Sequence, residues 1–136
     1  MTARRFYLDY ALEVDTEFVL PAPVAHHALR VLRMSTGQNI TLFNGDGFEY
    51  ESKIVKAYRS EAAVFIEAKN KVDRESKLIS RMGIGILKRK AMESALSRAT
   101  ELGVTEITPL TTSRSNVLHT RESHWKQVVQ ASCEQC

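Results

Sequence analysis

The stretch Asn44-Gly45-Asp46-Gly47 constrains the fold of this chain more than any other. Asn, Asp and Gly tolerate the positive φ that a tight hairpin turn demands. Before the turn, residues 39–43 carry Ile40 and Leu42 in phase; after it, residues 48–58 carry Phe48, Tyr50 and Ile54 in phase. A turn signal between two alternating stretches reads as an antiparallel strand pair. Residues 4–8 and 62–68 read as further short strands. Such strands at a spacing of roughly 8–12 residues suggest a small barrel or sandwich.

One helix interrupts the strands. Pro21 and Pro23 punctuate the chain before residues 24–34, where Val24, Ala28, Val31 and Leu32 fall on one helical face, and Gly37 ends the region. His26, Arg30 and Arg33 fall on the opposite face, with His27 beside Arg30. This basic ridge could touch phosphates, because the planar guanidinium matches phosphate oxygens. A plain solvated face is the alternative.

The pattern changes after residues 69–77, a charge-rich stretch that reads as a linker, and a domain boundary is expected near residue 72. Residues 78–87 read as a buried strand. Residues 91–102 read as a helix with Met92, Ala95, Leu96 and Ala99 on one face and Gly103 as its stop. Residues 104–110 read as a second strand, interrupted by Pro109. Thr120 is a candidate cap for a last helix carrying Trp125, Val128, Val129 and Ser132 on one stripe. Strand, helix, strand, loop, helix is how a parallel α/β sheet begins.

The net charge of +3 is unevenly held. Residues 1–72 carry nine basic and nine acidic side chains, so the excess belongs to residues 73–136, which contain Lys88-Arg89-Lys90. That run lies where a strand leaves the sheet for a helix N-terminus, a place that attracts anions. Arg114 follows the next strand at the same edge. Hydrophobic residues at 43% and charged residues at 26% describe an ordinary globular chain. No apolar run reaches about 18 residues, and residues 1–9 hold no signal-peptide core, so a cytoplasmic protein without a membrane span is expected.

Other motifs are weaker. Gly83-Ile84-Gly85 follows a strand, but Lys88 stands where a dinucleotide loop needs its third glycine, so close backbone packing is the simpler reading. Cys133 and Cys136 form a C-x-x-C that ends a helix rather than starting one. A zinc reading would add His119 and His124, with an inner spacing shorter than usual.

Six stretches, in order, resemble the bacterial small-subunit ribosomal RNA uracil-N3 methyltransferases, the RsmE family. Arg4-Arg5-Phe6 opens the chain as in that family. His27 with Arg30-Val31-Leu32-Arg33-Met34 resembles its H-x-x-R-V-L-R-M helix, and Leu42-Phe43-Asn44-Gly45 its L-F-D/N-G turn. Arg98, Glu101-Leu102-Gly103-Val104 and Ile107-Thr108-Pro109-Leu110 resemble its K-x-x-E-L-G-V-x-x-I-x-P segment. Arg114-Ser115 resembles its E-R-S/C, and residues 131–136 resemble its A-x-C/E-Q-C-G-R region up to the Gly-Arg. The chain departs from the family at Arg89, where glycine is frequent, at Ala91, where a basic residue is usual, and at Ser113, where glutamate is usual.

The resemblance implies a PUA-like, RNA-binding β-barrel over residues 1–72, and over 73–136 the first part of an α/β SPOUT domain with a trefoil knot. It implies methyl transfer from S-adenosylmethionine to N3 of a uridine in small-subunit (16S) ribosomal RNA by a homodimer. The cofactor loops, including G-P-E-G-G, are expected beyond residue 136, so the chain is expected to be an incomplete piece, inactive alone. The expected RNA contacts are Arg4, Arg5, His27, Arg30, Arg33, Lys88 and Arg89, and Arg114 is the expected stabiliser of a developing uracil anion. No residue is assigned to the cofactor or to a metal. An autonomous RNA-binding module without catalysis is the competing reading.

Overall fold

A computed structural model of the chain describes residues 4–72, 77–113, 115 and 122–135. It divides into two compact units, residues 1–73 and 74–136.

The first unit is built around the hairpin turn. Strand β3 (Asn39–Phe43) and strand β4 (Phe48–Tyr58) pair antiparallel across it. Gly45 at φ +86° and Gly47 at φ +84° supply the left-handed positions. Two side chains close the turn: Asn44 Oδ1 accepts from the Asp46 amide at 3.1 Å, and Asp46 Oδ1 accepts from the Phe48 amide at 3.0 Å. Strand β5 (Glu61–Lys71) then pairs antiparallel with β4. Strand β1 (Arg4–Tyr7) joins β3 in parallel, and β2 (Glu17–Val19) joins β5 antiparallel. The sheet order is β1-β3-β4-β5-β2, so β1 and β2 are its edges. Register shifts at Glu51/Ser52 and Ile54/Lys56 bend β4 over the core.

That core contains Phe6, Leu8, Ile40, Leu42, Ile54 and Ile66, all buried, with Ala25 and Ala28 of the helix packed among them. Each large apolar side chain so buried contributes about 1.5–3 kcal/mol, set against the entropy lost on ordering the chain.

The structure corrects several expectations here. The helix over 24–34 is instead α1 (Ala22–His26) followed by a π-helical turn, His27–Val31. The Leu32 amide reaches back five residues to the His27 carbonyl at 3.0 Å. The wider turn shifts the apolar stripe. Ala25, Ala28, Leu29 and Leu32 face the core, and Val31, expected on that face, is 60% exposed. Strand β2 was not expected at all. The linker read from residue 69 onward is strand as far as Lys71, because its polar side chains are cross-strand partners. Lys69 reaches Asp46 at 3.5 Å, and Asn70 donates to Glu51 at 2.7 Å.

In the second unit, β6 (Arg81–Gly85), α2 (Arg89–Glu101) and β7 (Glu106–Leu110) form a parallel strand–helix–strand unit. Pro109 has no N–H to offer, so it suits a strand with one unpaired side. Gly83 meets the expectation of close approach: a Cβ built there would lie 2.9 Å from Leu110 Cδ1. Helix α3 (Glu122–Gln135) packs on α2. Small residues bring the two helices together, with Ser97 and Ser132 hydroxyls 2.9 Å apart. The buried Ser132 also donates to the Val128 carbonyl at 3.0 Å.

The strand expected over 78–87 is shorter and not buried. Leu78 and Ile79 are 71% and 74% exposed, and Leu87 and Leu110 are exposed as well. Among the described residues the sheet has two strands, β6 and β7, and Leu78, Ile79 and Leu87 lie beyond the ends of β6. The helix expected from residue 91 begins at Arg89, so the basic run occupies its first turn. Thr120, the expected cap of α3, lies outside the described residues. No helix among the described residues is long and apolar enough to cross a membrane.

Candidate nucleic-acid interface

The residues expected to touch RNA fall into two sets, one on each unit. In the first, Arg4 is exposed on edge strand β1. Arg5, next to it, is engaged inside the protein. Its guanidinium pairs with Glu49 at 2.9 Å and lies 4.8 Å from the Phe43 ring centre, in a half-buried setting. Arg5 therefore braces β1 against the hairpin, a role its sequence neighbourhood does not signal. His27 is exposed yet set edge-on against buried Phe6, ring centres 5.8 Å apart.

Arg30 lies exposed on the π-helical turn. Arg33 does not continue a helical ridge. The helix has ended by Leu32, and Arg33 takes φ +54°, a position that usually goes to glycine after a helix. The Met34 amide bonds the Ala28 carbonyl at 2.9 Å across this reversal. The spacing of His26, Arg30 and Arg33 that suggested one face is thus broken after residue 31, while the three side chains remain exposed.

In the second unit, Lys88 is the N-cap of α2, and Arg89 and Lys90 open its first turn. No acidic residue sits in that turn and no side chain caps it. Three cations at the positive end of a helix repel the aligned peptide dipoles, an arrangement that an anionic ligand relieves. Arg89 has a counter-charge one turn on, Glu93 at 2.9 Å. Glu93 is also bonded by His124 Nε2 of α3 at 2.7 Å, a link the sequence does not reveal. The His124 bond and then the Arg89 bond hold the Glu93 carboxyl below its ordinary value, against partial burial.

Arg114 lies outside the described residues. After β7, the Thr112 amide donates to Ser115 Oγ at 3.0 Å and the Ser115 amide to the Thr112 carbonyl at 2.9 Å. His119 and Cys136 of the zinc reading also lie outside the described residues. Among those described, no three metal-binding side chains cluster.

The cluster with the clearest electrostatic signature was not singled out by spacing. Asp46 Oδ2 accepts from the buried Tyr50 hydroxyl at 2.6 Å and from Lys69 at 3.5 Å. Lys69 lies 4.0 Å from the Phe48 ring centre. Burial pushes the Asp46 carboxyl up, but the bonds from Tyr50, the Phe48 amide and Lys69 outweigh it and hold it below its ordinary value. Lys69 is held above its ordinary value by Tyr50 first and then by Asp46. All these partners are internal, so the cluster stiffens the hairpin that carries the unit.

Comparison with known proteins gives consistent matches over both units. A family model described as an RNA methyltransferase PUA domain matches residues 20–67, and one described as an RNA methyltransferase domain matches residues 74–136. The chain is 29% identical over 138 aligned positions to ribosomal RNA small subunit methyltransferase E of Buchnera aphidicola, covering 97% of this chain and 56% of that protein. A crystal structure of a ribosomal RNA small subunit methyltransferase E from Neisseria gonorrhoeae, bound to S-adenosyl methionine, superposes with a TM-score of 0.91 at 32% identity. That match covers 98% of this chain and 56% of that one. A Thermotoga maritima structure described as a predicted RNA methyltransferase superposes with a TM-score of 0.77 at 26% identity, over 98% of this chain and 59% of that one. The fold is thus PUA-like in the first unit and of the RNA methyltransferase type in the second. The chain spans about half the length of the curated relatives it matches.

Proposed function

We propose that this chain, whose two units match an RNA methyltransferase PUA domain and an RNA methyltransferase domain and which is similar along its length to ribosomal RNA small subunit methyltransferases E, presents RNA to a reaction in which S-adenosylmethionine methylates N3 of a uridine in small-subunit (16S) ribosomal RNA. The observation that carries this reading is the pair of exposed basic sets, Arg4, His27, Arg30 and Arg33 in one unit and Lys88 and Arg89 in the other, within two domains matched to RNA methyltransferases. Arg5 contributes indirectly, by bracing β1 through Glu49.

The basic run that opens α2 does not fit the sulfonium of the methyl donor. The sulfonium is a cation, and Lys88, Arg89 and Lys90 offer it positive charge at a helix N-terminus without an acid in the first turn. The same group fits a phosphate of the RNA. What the donor supplies when bound elsewhere is an already activated methyl group. What the RNA requires is an accessible N3. That atom lies on the pairing edge and carries a proton in neutral uridine, so the base must be unpaired and must lose the proton. Arg114 is the residue proposed to stabilise the resulting negative charge on the uracil oxygens. Exposed Leu78, Ile79, Leu87, Leu102 and Leu110 support a second unit that further protein covers, from the same chain or from a second copy in a homodimer.

The reading is tested by titrating this chain into labelled single-stranded RNA at several salt concentrations. Phosphate contacts release counterions, so affinity is expected to fall linearly on a log–log plot, with a slope of about −0.7 per contact. In parallel calorimetry, S-adenosylmethionine is expected to give no heat of binding to this chain. RNA affinity indifferent to salt would contradict the phosphate interface, and tight cofactor binding would contradict the assignment of the cationic cluster.

A further inference from the structure

Two exposed arginines occupy backbone positions that ordinarily suit glycine. Arg59 opens the two-residue connection between β4 and β5 at φ +52°, and Arg33 follows the π-helical turn at φ +54°. Left-handed φ is uncommon for a long side chain. Strain of this kind concentrates where a segment is shaped for a ligand.

A shallow cleft, largely open to solvent and about 360 Å³ in volume, lies between these two segments, lined by Leu29, Met34, Ser35, Thr36, Ala57 and Arg59. So open a surface offers a base one face to lie against rather than an enclosing pocket. Leu29, Met34 and Ala57, partly buried against the core, give it apolar edges; Ser35 and Thr36 give it hydroxyls; no carboxylate is among these lining residues. The Arg59 guanidinium lies 5.3 Å from the Tyr58 ring centre and has no ion pair among the described residues. Tyr58 itself is 59% exposed at the tip of the hairpin. Exposed Arg30 and Arg33 adjoin Leu29 and Met34 in the chain, and Glu61, opposite Tyr58 at the hairpin tip, is paired with Lys56 at 3.8 Å.

We propose that this cleft takes one unpaired nucleotide of the RNA. The base packs on Leu29, Met34 and Ala57, with Ser35 and Thr36 hydroxyls toward its polar edge. Arg59 meets the adjoining phosphate, and the Tyr58 ring stacks the next base. An apolar slot beside a cation and an exposed aromatic ring is the arrangement that holds single strands, since every base has a face to stack. The assignment rests on the RNA-binding reading above and names where on the first unit a strand would be gripped.

The test uses this chain and a labelled single-stranded oligouridylate of about eight nucleotides, within the range one small domain grips. Tyr58→Ala is expected to weaken binding roughly 5- to 100-fold with the salt slope unchanged, because stacking carries no charge. Tyr58→Phe is expected to bind like the unsubstituted chain. Arg59→Ala is expected to weaken binding and to reduce the salt slope by about 0.7. Methyl resonances of Leu29 and Met34 are expected to shift as RNA is added. If the unsubstituted chain binds, and Tyr58→Ala and Arg59→Ala bind equally well with those methyls unmoved, the cleft assignment is overturned while the RNA-binding reading stands. If the unsubstituted chain does not bind, the RNA-binding reading fails and the cleft assignment with it.

Discussion

Asp46→Ala is expected to lower the stability of the first unit by about 3 kcal/mol, more than any other surface substitution in it. The cost has two parts. The Tyr50 hydroxyl is enclosed in a side chain only 1% exposed, and its partner is Asp46 Oδ2 at 2.6 Å. Leaving a buried hydroxyl unsatisfied costs about 1–3 kcal/mol. The bond from the Phe48 amide is lost as well, which closes the turn and sets the register of the strands after it. In a domain of this size, about 3 kcal/mol corresponds to a drop of roughly 10–20 °C in Tm. Thermal unfolding followed by circular dichroism measures it. In the double variant Asp46→Ala/Tyr50→Phe the loss is expected to be less than the sum of the two single losses, because no hydroxyl is then stranded. Additive losses would remove the bond from the account.

The same cluster fixes a pH dependence. The folded Asp46 carboxyl sits below its ordinary value, so its contribution is fully present above that ordinary value. The contribution is lost as pH falls through the lower, folded value. Asp46→Asn keeps the shape of the side chain and is expected to flatten this acid limb.

Charge reversal at Arg30 and Arg33 is expected to have the largest effect on RNA binding. Both side chains are exposed, Arg30 lies on the π-helical turn, and Arg33→Glu keeps a non-glycine residue at its left-handed position, so the fold and its local strain are unchanged. Each reversal removes a phosphate partner and sets a carboxylate in its place. Arg30→Glu/Arg33→Glu is expected to lower affinity at least about tenfold and to reduce the log–log salt slope by about 1.4, the share of two contacts to a single strand. Fluorescence anisotropy at several salt concentrations reads both quantities. Unchanged affinity and slope would make these arginines an ordinary solvated surface.

Much of this molecule was legible in its residues, and the exceptions have physical causes. The hairpin could be read because its signal is local: two glycines and two side chains that bond their own backbone. The α2 stripe of Met92, Leu96 and Ala99 could be read for the same reason. The π-helical turn could not. Periodicity assumes a constant number of residues per turn, and one wider turn moves every later residue to another face. Strand β2 has three residues, too few for an alternation, and exists through its pairing with β5. Lys69, Lys71 and Asn70 looked like linker because charge usually means solvent, while here Lys69 and Asn70 are paired across strands.

The candidate interface divides in the same way. Arg4 and Arg5 are indistinguishable in sequence, and a distant partner, Glu49, separates their roles. Tyr58 and Arg59 were passed over because a hairpin tip with an arginine at positive φ has no sequence signature. The basic run at residues 88–90 was located by topology, since a strand followed by a helix fixes where the helix N-terminus must lie.

The central claim is that these two units serve methylation of a uridine in small-subunit ribosomal RNA. The most direct measurement incubates unmodified small-subunit RNA with isotope-labelled S-adenosylmethionine and this protein extended to the length of its relatives. The RNA is then digested to nucleosides and analysed by mass spectrometry. The account predicts label in 3-methyluridine, lost when Arg30 and Arg33 are both reversed in charge. Label in any other nucleoside, or none in the RNA, would contradict it.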